Sequence, residues 1–259
     1  MRMKGNVTIV TGGNGGIGEA IAVKCAQEGA IVVVADLNAE KSERVQARIK
    51  EAGSEGMAVQ ADLTNEDEVK ALMEKVQGAY GRIDTLVNNA GLFGNTKAIP
   101  QFAKPFDQIT VEEWDTMMRV NVRGPFLCCK HVASVMKAQK SGSIINISST
   151  TAWLGAPIFL HYGASKGALL TMTKGLAVSL APFNVRVNAL CPGQVMTDSS
   201  MTMTNKNREA AEEFIMGKQL LQTVTRPEDM AGIVIYLASD EGRMVTGQAI
   251  GVNGGGFLH

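Results

Sequence analysis

Short runs of apolar, mostly β-branched residues alternate with longer helical segments along nearly the whole chain, and this alternation constrains the fold most. A strand that is apolar at almost every position must be covered on both faces, and the helices that connect parallel strands supply that cover. The chain of 259 residues is long enough to bury such a sheet. Strands are predicted in the sequences NVTIVT, IVVVAD, GMAVQAD, RIDTLVN, GSIINIS, VRVNALC and QAIGVNGG.

Segments of helical periodicity separate these strands, as crossover connections require. Helices are predicted over residues 16–28, 39–52, 65–80, 111–139 and 161–181, with a last one in RPEDMAGIVIYLAS. The alternation indicates a doubly wound α/β fold, with about seven parallel strands and helices on both faces of the sheet. No linker-like segment interrupts the series, so residues 1–259 are predicted to form a single domain.

Two irregular segments follow predicted strands. Ligands bind beyond the carboxyl ends of strands in a parallel sheet, so loops at these places can build a substrate site. The first, residues 92–110, is rich in Phe, Pro and Lys. The second, residues 196–221, begins with Ser, Thr and Met and then turns helical, which favours a mobile lid over bound ligand. An ordered surface excursion is the alternative for this second loop.

Charge and cysteine usage narrow the class of partner. Lys and Arg number 25, Asp and Glu number 25, and no run of like charges occurs. Binding to nucleic acid or to a membrane surface needs clustered Lys and Arg, so neither partner is predicted. A small-molecule partner is predicted instead. The chain shows no membrane-length apolar run and no secretory signal, and a cytoplasmic protein is expected. Four cysteines without metal-ligand spacing predict no metal site.

A glycine-rich turn, GGNGGIG, joins the first strand to the first helix and contains Gly12, Gly16 and Gly18. Glycines let the backbone approach a pyrophosphate, and the helix N-terminus adds unpaired N–H groups. No G-K-[ST] follows, which excludes a P-loop nucleotidase. Asp36 ends the second strand, where a carboxylate can bind the adenosine ribose hydroxyls and repel a 2′-phosphate. NAD is therefore the predicted cofactor, although Asp36 could instead cap the next helix, in competition with Asn38.

Tyr162 and Lys166 are four residues apart in HYGASKGALL, a segment with helical character. Positions i and i+4 share a helical face, so the ammonium can lie near the ring and its hydroxyl. A pair with this spacing also arises by chance, and its meaning depends on the surrounding motifs.

These motifs together resemble those of the short-chain dehydrogenase/reductase family, over nearly the whole chain. The family's cofactor turn, T-G-x-x-x-G-I-G, matches residues 11–18 at every fixed position, and Ser149 precedes Tyr162 by the family's interval of 13 residues. Further family motifs match at Asp62 and Leu63, at Asn88, Asn89, Ala90 and Gly91, at Asn121 and Gly124, and at Pro192, Gly193, Val195 and Thr197. The resemblance implies a Rossmann-type sheet and a nicotinamide-dependent oxidoreductase.

The resemblance also implies a catalytic set of Asn121, Ser149, Tyr162 and Lys166. A free tyrosine, with a pKa near 10, is a weak base at neutral pH. A nearby ammonium and a positive nicotinamide ring favour the phenolate, so Tyr162 is predicted to act as the acid or base. Ser149 would bind the substrate oxygen, although Ser148 is similarly placed, and Lys166 would hold the nicotinamide ribose. In the family, Asn121 keeps a break in its helix and anchors a relay water; a solvent-facing helical residue is the alternative.

The expected cofactor-binding residues combine the glycine turn, the second-strand acid and the family motifs. They are Gly12, Asn14, Gly16, Ile17, Gly18, Asp36, Leu37, Asp62, Leu63, Asn89, Ala90, Gly91, Tyr162, Lys166, Pro192, Gly193, Val195 and Thr197.

The expected substrate residues follow strand ends or lie beside the catalytic groups. They are Phe93, Thr151, Trp153, Leu154, Phe159, Gln194 and Met196. They predict a largely apolar, partly aromatic pocket that suits a cyclic or aryl secondary alcohol, with ordinary packing as the alternative. His161 points about 100° away from Tyr162 around the helix and is expected at the surface or the pocket rim.

The predicted function is NAD(H)-dependent interconversion of a secondary alcohol and a ketone. A 3-oxoacyl thioester reductase is the alternative, against which Asp36 counts because biosynthetic reductases usually take NADPH. A non-catalytic NAD-binding sensor is a remote alternative, which the intact Ser149, Tyr162 and Lys166 disfavour. Family members pack their two long helices, here 111–139 and 161–181, across two-fold axes, so a homotetramer is expected.

Overall fold

The computed structural model describes residues 1–201 and 207–258, and seven strands in this part of the chain form one sheet. They are β1 (Val7–Thr11), β2 (Ile31–Asp36), β3 (Gly56–Gln60), β4 (Thr85–Asn88), β5 (Gly142–Ile147), β6 (Val185–Pro192) and β7 (Ala249–Val252). Their spatial order is β3-β2-β1-β4-β5-β6-β7, and every neighbouring pair is parallel. The predicted doubly wound sheet is confirmed, with its switch point between β1 and β4.

The helices lie close to the predicted positions. They are α1 (Gly16–Gln27), α2 (Ala39–Glu51), α3 (Glu66–Tyr80), α4 (Val111–Met118), α5 (Gly124–Gln139), α6 (Thr151–Leu154), α7 (Leu160–Leu180), α8 (Asp198–Met201), α9 (Arg208–Met216) and α10 (Pro227–Ala238). Single 3₁₀ turns occur at Phe106–Gln108, Ala181–Phe183 and Asp240–Gly242. No helix in residues 1–201 and 207–258 is both long and apolar enough to cross a bilayer.

Successive strand residues feed two separate hydrophobic cores, because side chains alternate between the faces of a sheet. Val33 points to the face covered by α3, α5 and α7 and belongs to the same core cluster as Leu72, Leu127 and Leu180 of those helices. Its neighbour Val34 points to the other face, which α1, α2 and α10 cover. Central strands β1, β4 and β5 are buried at every position, as strands covered on both faces should be.

The predicted helix over residues 111–139 is continuous but not uniform. A π-helical turn at Arg119–Arg123 separates α4 from α5. Such a turn inserts an extra residue into the helical ladder and is found often at functional sites. It contains Asn121, which is fully buried.

The two predicted loops differ in what the structure shows of them. Residues 92–110 fold back onto α4 and α7, where the Lys104 ammonium forms a buried ion pair with the Glu113 carboxylate at 2.7 Å. The Lys104 backbone N–H also donates to the Ile158 carbonyl. The second loop contains α8 and α9, but residues 202–206 of the predicted lid lie outside the described part of the chain. Its mobility therefore stays a prediction.

Candidate active site

A cavity of about 700 Å³ opens at the carboxyl ends of the strands, around the switch point between β1 and β4. Its walls come from the β1–α1 turn, the ends of β2 to β6 and the N-terminal half of α7. Every residue predicted to bind the cofactor lines this cavity except Gly18. Residues distant in sequence are brought together here because all these strands end at one edge of the sheet.

The glycine turn after β1 is held very close to the turn after β4. Gly12 has a φ of +62°, and a Cβ atom there would lie 2.7 Å from the Ala90 Cα. At Gly18, a Cβ atom would lie 2.2 Å from the Gly12 carbonyl oxygen. Gly18 thus serves the close packing of α1 against the turn and does not face the cavity. Neither position can accept a side chain without a shift of backbone.

The first turn of α1 supplies the group that a dinucleotide pyrophosphate needs. The N-cap is Gly15, and no side chain caps the helix. The first N–H groups of a helix lack intrahelical partners and carry a partial positive charge. These N–H groups and the side-chain-free glycine surface fit a phosphate group at this end of the cavity.

Asp36 lies at the carboxyl end of β2 and lines the cavity. Its carboxylate accepts one bond from the Asn38 backbone N–H at 3.2 Å. Asn38 is the N-cap of α2, since its side-chain oxygen accepts from the Lys41 N–H at 2.9 Å. The alternative capping role for Asp36 is therefore excluded. Burial raises the pKa of Asp36, while backbone N–H groups and the Lys41 ammonium act against that rise.

The turn after β4 is fastened to β1 through side-chain hydrogen bonds. The Thr11 hydroxyl accepts from the backbone N–H groups of Asn89, at 3.0 Å, and Ala90, at 3.1 Å. The Asn89 amide donates to the carbonyl oxygens of Thr11 and Gly12 at 3.1 and 2.9 Å. Asn89 therefore holds the glycine turn in place, and the backbone of this turn forms the floor of the cavity.

Two further motif segments, one after β3 and one after β6, form parts of the cavity wall. The Asp62 carboxylate, after β3, accepts from the backbone N–H and the hydroxyl of Thr64 at 2.9 and 2.8 Å. After β6, the Gly193 N–H donates to the Val252 carbonyl. Thr197 then starts α8, and its hydroxyl accepts from the Ser200 N–H at 3.1 Å. These bonds hold both segments at the cavity wall.

Tyr162 and Lys166 lie on the same face of α7, as their spacing predicts. The Lys166 ammonium nitrogen is 5.6 Å from the centroid of the Tyr162 ring. It donates to the Ile147 carbonyl oxygen, at the end of β5, at 2.9 Å. Both side chains are more than nine-tenths buried and both line the cavity. The helix is thereby locked to the sheet with both groups facing the cavity.

Burial dominates the protonation of this pair. It raises the pKa of Tyr162 to about 12, although a hydrogen bond with Ser149 acts in the opposite direction. Burial also lowers the pKa of Lys166 to about 8. Removing these two groups from water favours the neutral form of each. The expectation that the ammonium and a bound nicotinamide together lower the tyrosine pKa stays a prediction for the cofactor-bound protein.

The two serines after β5 have different partners. The Ser148 hydroxyl donates to the Lys166 backbone carbonyl at 2.8 Å and supports α7. The Ser149 hydroxyl lies 3.0 Å from the Thr151 hydroxyl and accepts from the Thr151 N–H. It also hydrogen-bonds with Tyr162. The geometry therefore places Ser149, rather than Ser148, beside the tyrosine hydroxyl.

Asn121 lies behind the cavity and does not line it. Its side-chain oxygen accepts from the Leu92 N–H at 2.7 Å, and its amide donates to the Leu92 carbonyl at 3.2 Å and the Ser165 hydroxyl at 3.1 Å. The solvent-facing alternative is thus excluded. Asn121 secures the start of the 92–110 loop against α7, and the π-turn supplies the position from which it does so.

The predicted substrate residues divide into two groups. Phe93, Thr151 and Gln194 line the cavity, and the Phe93 ring is 5.2 Å from the Tyr162 ring. Trp153, Leu154, Phe159 and Met196 are not among the lining residues. Trp153 instead stacks on Phe257 at 5.5 Å, and Phe159 stacks on Phe102 at 5.2 Å. Phe159 thus belongs to the aromatic cluster around Tyr162 and Phe102 without lining the cavity, whereas Trp153 packs on the C-terminal segment.

His161 is buried, and the expectation of a surface or rim position is wrong. Only 1% of it is exposed, its ring is 5.3 Å from that of Phe102, and neither ring nitrogen has a hydrogen-bond partner. The 92–110 loop covers this face of α7, with the Lys104–Glu113 ion pair close by. Burial lowers the pKa of His161, while Glu113 acts to raise it and Lys104 to lower it.

Three charged residues that line the cavity near Asp36 lie outside the sequence motifs. They are Glu19, in the first turn of α1, and Lys41 and Arg44, in the first half of α2. Their position in the sequence could have indicated them, because each follows a strand-to-helix turn that the motifs predict to bind the cofactor.

Comparison with known proteins finds close agreement over the whole chain. A family model described as enoyl-(acyl carrier protein) reductase matches residues 12–256. A 3-oxoacyl-[acyl-carrier-protein] reductase from Thermotoga maritima is 38% identical over 260 residues, which cover 98% of this chain and 99% of that relative. A cyclopentanol dehydrogenase from Comamonas testosteroni is 35% identical over 254 residues, covering 98% of each chain.

A solved structure agrees equally well in three dimensions. The crystal structure of NAD⁺-bound xylitol dehydrogenase superposes on this chain with a TM-score of 0.90 and 29% sequence identity. The superposition covers 98% of this chain and 100% of the other. These relatives share one fold and act on differing substrates, so the fold alone does not identify the substrate.

Proposed function

The chain belongs to the short-chain dehydrogenase/reductase family of oxidoreductases that act on CH–OH groups, and we propose that it interconverts a largely apolar cyclic or aryl secondary alcohol and its ketone with NAD(H). One observation carries this proposal. Tyr162, hydrogen-bonded with Ser149 and flanked by Lys166, shares a cavity with an uncapped helix N-terminus and the Asp36 carboxylate. A proton-transfer group and a dinucleotide cradle therefore meet in one cavity.

Ketone reduction uses the protonation state that the protein itself favours. A pKa of about 12 keeps Tyr162 as a neutral phenol, which can donate its proton to a ketone oxygen. Ser149, beside the same hydroxyl, stabilises the negative charge that develops on that oxygen. Loss of the proton leaves a phenolate in a buried position, and the Lys166 ammonium, 5.6 Å from the ring, offsets its charge.

Alcohol oxidation runs the same steps in reverse. Tyr162 must then accept the hydroxyl proton, so its pKa has to fall towards the working pH. When bound, the nicotinamide supplies the hydride acceptor and, in its oxidised form, a positive charge that favours the phenolate. Lys166 adds to this effect only in its ammonium form, and its pKa of about 8 makes oxidation sensitive to mildly alkaline pH.

We base the proposed preference for NAD on Asp36. Its carboxylate lies at the cavity wall and accepts from backbone N–H groups, including that of Asn38 at 3.2 Å. A carboxylate has about four acceptor sites, so Asp36 retains capacity for two ribose hydroxyls. A 2′-phosphate at the same place would face this negative charge. The NAD⁺-bound xylitol dehydrogenase shares the fold and supports the same choice.

The proposed substrate class rests on the wall beside Tyr162. Phe93 packs edge to face against the Tyr162 ring and against Phe102, at 5.2 Å in each case. Leu92 and Thr151 extend this wall, and no arginine lies near it among the lining residues that the structure describes. An apolar ring suits this surface better than a polyanionic substrate does.

A panel of secondary alcohols, followed by NADH absorbance, tests the proposal. Cyclohexanol, cyclopentanol and 1-phenylethanol should be oxidised with NAD⁺, and sugar phosphates should not. Asp36→Asn should weaken discrimination against NADP⁺. Turnover of sugar phosphates alone would overturn the substrate proposal, and a preference for NADP⁺ in the unaltered protein would overturn the cofactor proposal.

A 3-oxoacyl thioester reductase is the second candidate, favoured by the Thermotoga maritima relative at 38% identity. Acetoacetyl-CoA with NADPH and with NADH separates the two candidates. Reduction of this thioester with a higher kcat/KM than any cyclic ketone would favour the second candidate over the first.

We also propose a cytoplasmic homotetramer built on α5 and α7. Phe126 of α5 is 49% exposed and Val178 of α7 is 78% exposed, so both helices present apolar side chains away from the core. The cysteines of the described chain are all unpaired and buried, as expected in a reducing compartment. Light scattering at micromolar concentration should give a tetramer, and a monomer would contradict the proposal.

A further inference from the structure

Glu19 connects the first two helices at the adenosine end of the cavity. One carboxylate oxygen accepts from the Arg44 guanidinium at 3.0 Å, and the other accepts from Arg48. The Glu19 side chain is only 11% exposed, whereas those of Arg44 and Arg48 are 61% and 51% exposed. The buried Glu19 carboxylate is therefore held in place by its surroundings, and the two exposed arginine side chains extend to reach it.

Arg44 lies on the cavity rim together with Asp36 and Lys41. An arginine near the second-strand carboxylate is the kind of group that accommodates the 2′-phosphate of NADP in dinucleotide sites. Its guanidinium presents a fork of donors matched to phosphate oxygens. On charge alone, the rim of this cavity could bind either form of the cofactor, because Lys41 and Arg44 offset Asp36.

Glu19 changes that balance in two ways. It engages donors of Arg44 in a charge-assisted bond, which is stronger than a bond between neutral groups. It also adds a second carboxylate to the rim, since Glu19 itself lines the cavity. Both effects act against a 2′-phosphate and neither acts against an unmodified ribose.

We propose that Glu19 is a specificity-determining residue, which holds Arg44 at α1 and so prevents it from binding a 2′-phosphate. The inference rests on the proposed function, in that it requires a dinucleotide with its adenosine end beside Asp36. Asp36 then repels the phosphate directly, and Glu19 keeps the Arg44 guanidinium from offsetting that repulsion.

The test measures binding of NADPH and NADH by fluorescence titration, which needs no substrate. Glu19→Gln keeps the size of the side chain and removes its charge. NADPH should bind roughly three- to tenfold more tightly to this variant, a modest gain because the arginines are solvent-exposed and screened. NADH affinity should change by less than about twofold, because an unmodified ribose carries no charge for the freed Arg44 to bind.

Two further variants make the result specific. Arg44→Met in the Glu19→Gln background should remove most of the gain in NADPH affinity, leaving only the part that comes from loss of the Glu19 carboxylate at the rim. Glu28→Gln is the matched control, because Glu28 forms the same kind of pair with Arg2, at 2.8 Å, at the other end of α1. It removes the same charge and should leave NADPH affinity unchanged. Circular dichroism and thermal unfolding verify that each variant is folded.

The outcomes separate this inference from the proposed function. If the unaltered protein binds neither NADH nor NADPH, the proposed function fails. If it binds NADH but Glu19→Gln gives no gain for NADPH, the role of Glu19 is overturned. A gain that persists in full in the double variant overturns it as well, because the effect is then independent of Arg44. A gain that also occurs in Glu28→Gln overturns it too, because the effect is then a general change in net charge.

Discussion

The two edges of the sheet hold cavities of nearly equal volume that differ in how far their polar groups are already engaged within the protein. The cavity at the carboxyl edge measures about 700 Å³, and one at the amino edge measures about 730 Å³. Glycine backbone, hydroxyl groups and a buried Tyr–Lys pair line the first, together with charged side chains such as Asp36 and Arg44. Charged side chains also line the second, namely Arg2, Lys4, Arg82, Asp84, Arg186, Asp240 and Arg243.

Much of the charge at the amino edge is already engaged within the protein. Arg82 binds Asp84 at 2.7 Å, and Arg2 binds Glu28 at 2.8 Å. Arg186 reaches the Ser239 and Val245 carbonyl oxygens at 3.5 Å. Helices between parallel strands run opposite to them, so helix C-termini gather at this edge, and cations there offset their partial negative charge.

The carboxyl edge collects helix N-termini instead, and its reactive groups keep capacity for a ligand. The α1 N-terminus has no side-chain cap, and the Asp36 carboxylate keeps acceptor sites beyond those that its backbone N–H partners occupy. Cavity volume therefore does not distinguish a binding site from a structural hollow. The direction of the helices and the unused hydrogen-bonding capacity distinguish them.

The largest expected effect is on catalysis at the carboxyl edge. Tyr162→Phe removes the proton donor and keeps the ring packed against Phe93, so kcat/KM should fall by about a thousandfold or more. NADH affinity should change by only a few-fold, as measured by fluorescence titration. Activity within a few-fold of the unaltered protein would remove Tyr162 from the mechanism.

A methyl group at Gly18 should displace the glycine turn at the carboxyl edge by steric overlap. Gly18→Ala places a Cβ atom 2.2 Å from the Gly12 carbonyl oxygen, so the glycine turn must shift. NADH affinity should fall by more than about tenfold, and stability by about 1–3 kcal/mol, in urea unfolding. Gly78→Ala is the control, because nothing lies within 4 Å of its added Cβ in α3. It should stabilise the protein by about 0.5–1 kcal/mol.

Disrupting the amino edge should affect stability without affecting binding. The Asp84 carboxylate accepts from Arg82 and, at 2.9 Å, from the Val7 N–H at the start of β1. Asp84→Asn should cost about 1–2 kcal/mol in urea unfolding, because one buried donor loses its charged partner. NADH affinity should stay unchanged within about twofold, since the two edges lie far apart. A large loss of NADH affinity would break the contrast between the edges.

The smallest expected effect concerns the pH dependence of stability. Burial holds the pKa of His161 below its ordinary value of 6.5, so the unfolded chain takes up a proton at a higher pH than the folded protein does. The contribution of His161 to the free energy of unfolding should therefore be fully present above about pH 6.5 and should be lost progressively as the pH falls below it. His161→Phe, which suits contact with Phe102, should flatten this dependence in urea midpoints at pH 5.5 and 7.5. An unchanged slope would show that His161 does not contribute.

Local patterns predicted much of the carboxyl edge from the sequence. The β1–α1 glycine turn, Asp36 and the Tyr162–Lys166 spacing each depend on a few consecutive residues or on one helical turn. Asn121 was identified by resemblance to a family, but its bonds to Leu92 and Ser165 were not, because those partners are 29 and 44 residues away. Trp153 is close to Ser149 in sequence but stacks on Phe257, and Phe159 packs on Phe102 without lining the cavity.

The sequence by itself determined the order of strands and helices along the chain, the glycine turn after β1 and the shared helical face of Tyr162 and Lys166, because these follow from short-range periodicity and the backbone freedom of glycine. Only the tertiary structure decided that His161 is buried under the 92–110 loop and that Glu19 holds Arg44. Only the tertiary structure decided, too, that Phe93 rather than Trp153 faces Tyr162. Such contacts join segments far apart in the chain, and their geometry depends on how loops and helices pack after the sheet has formed.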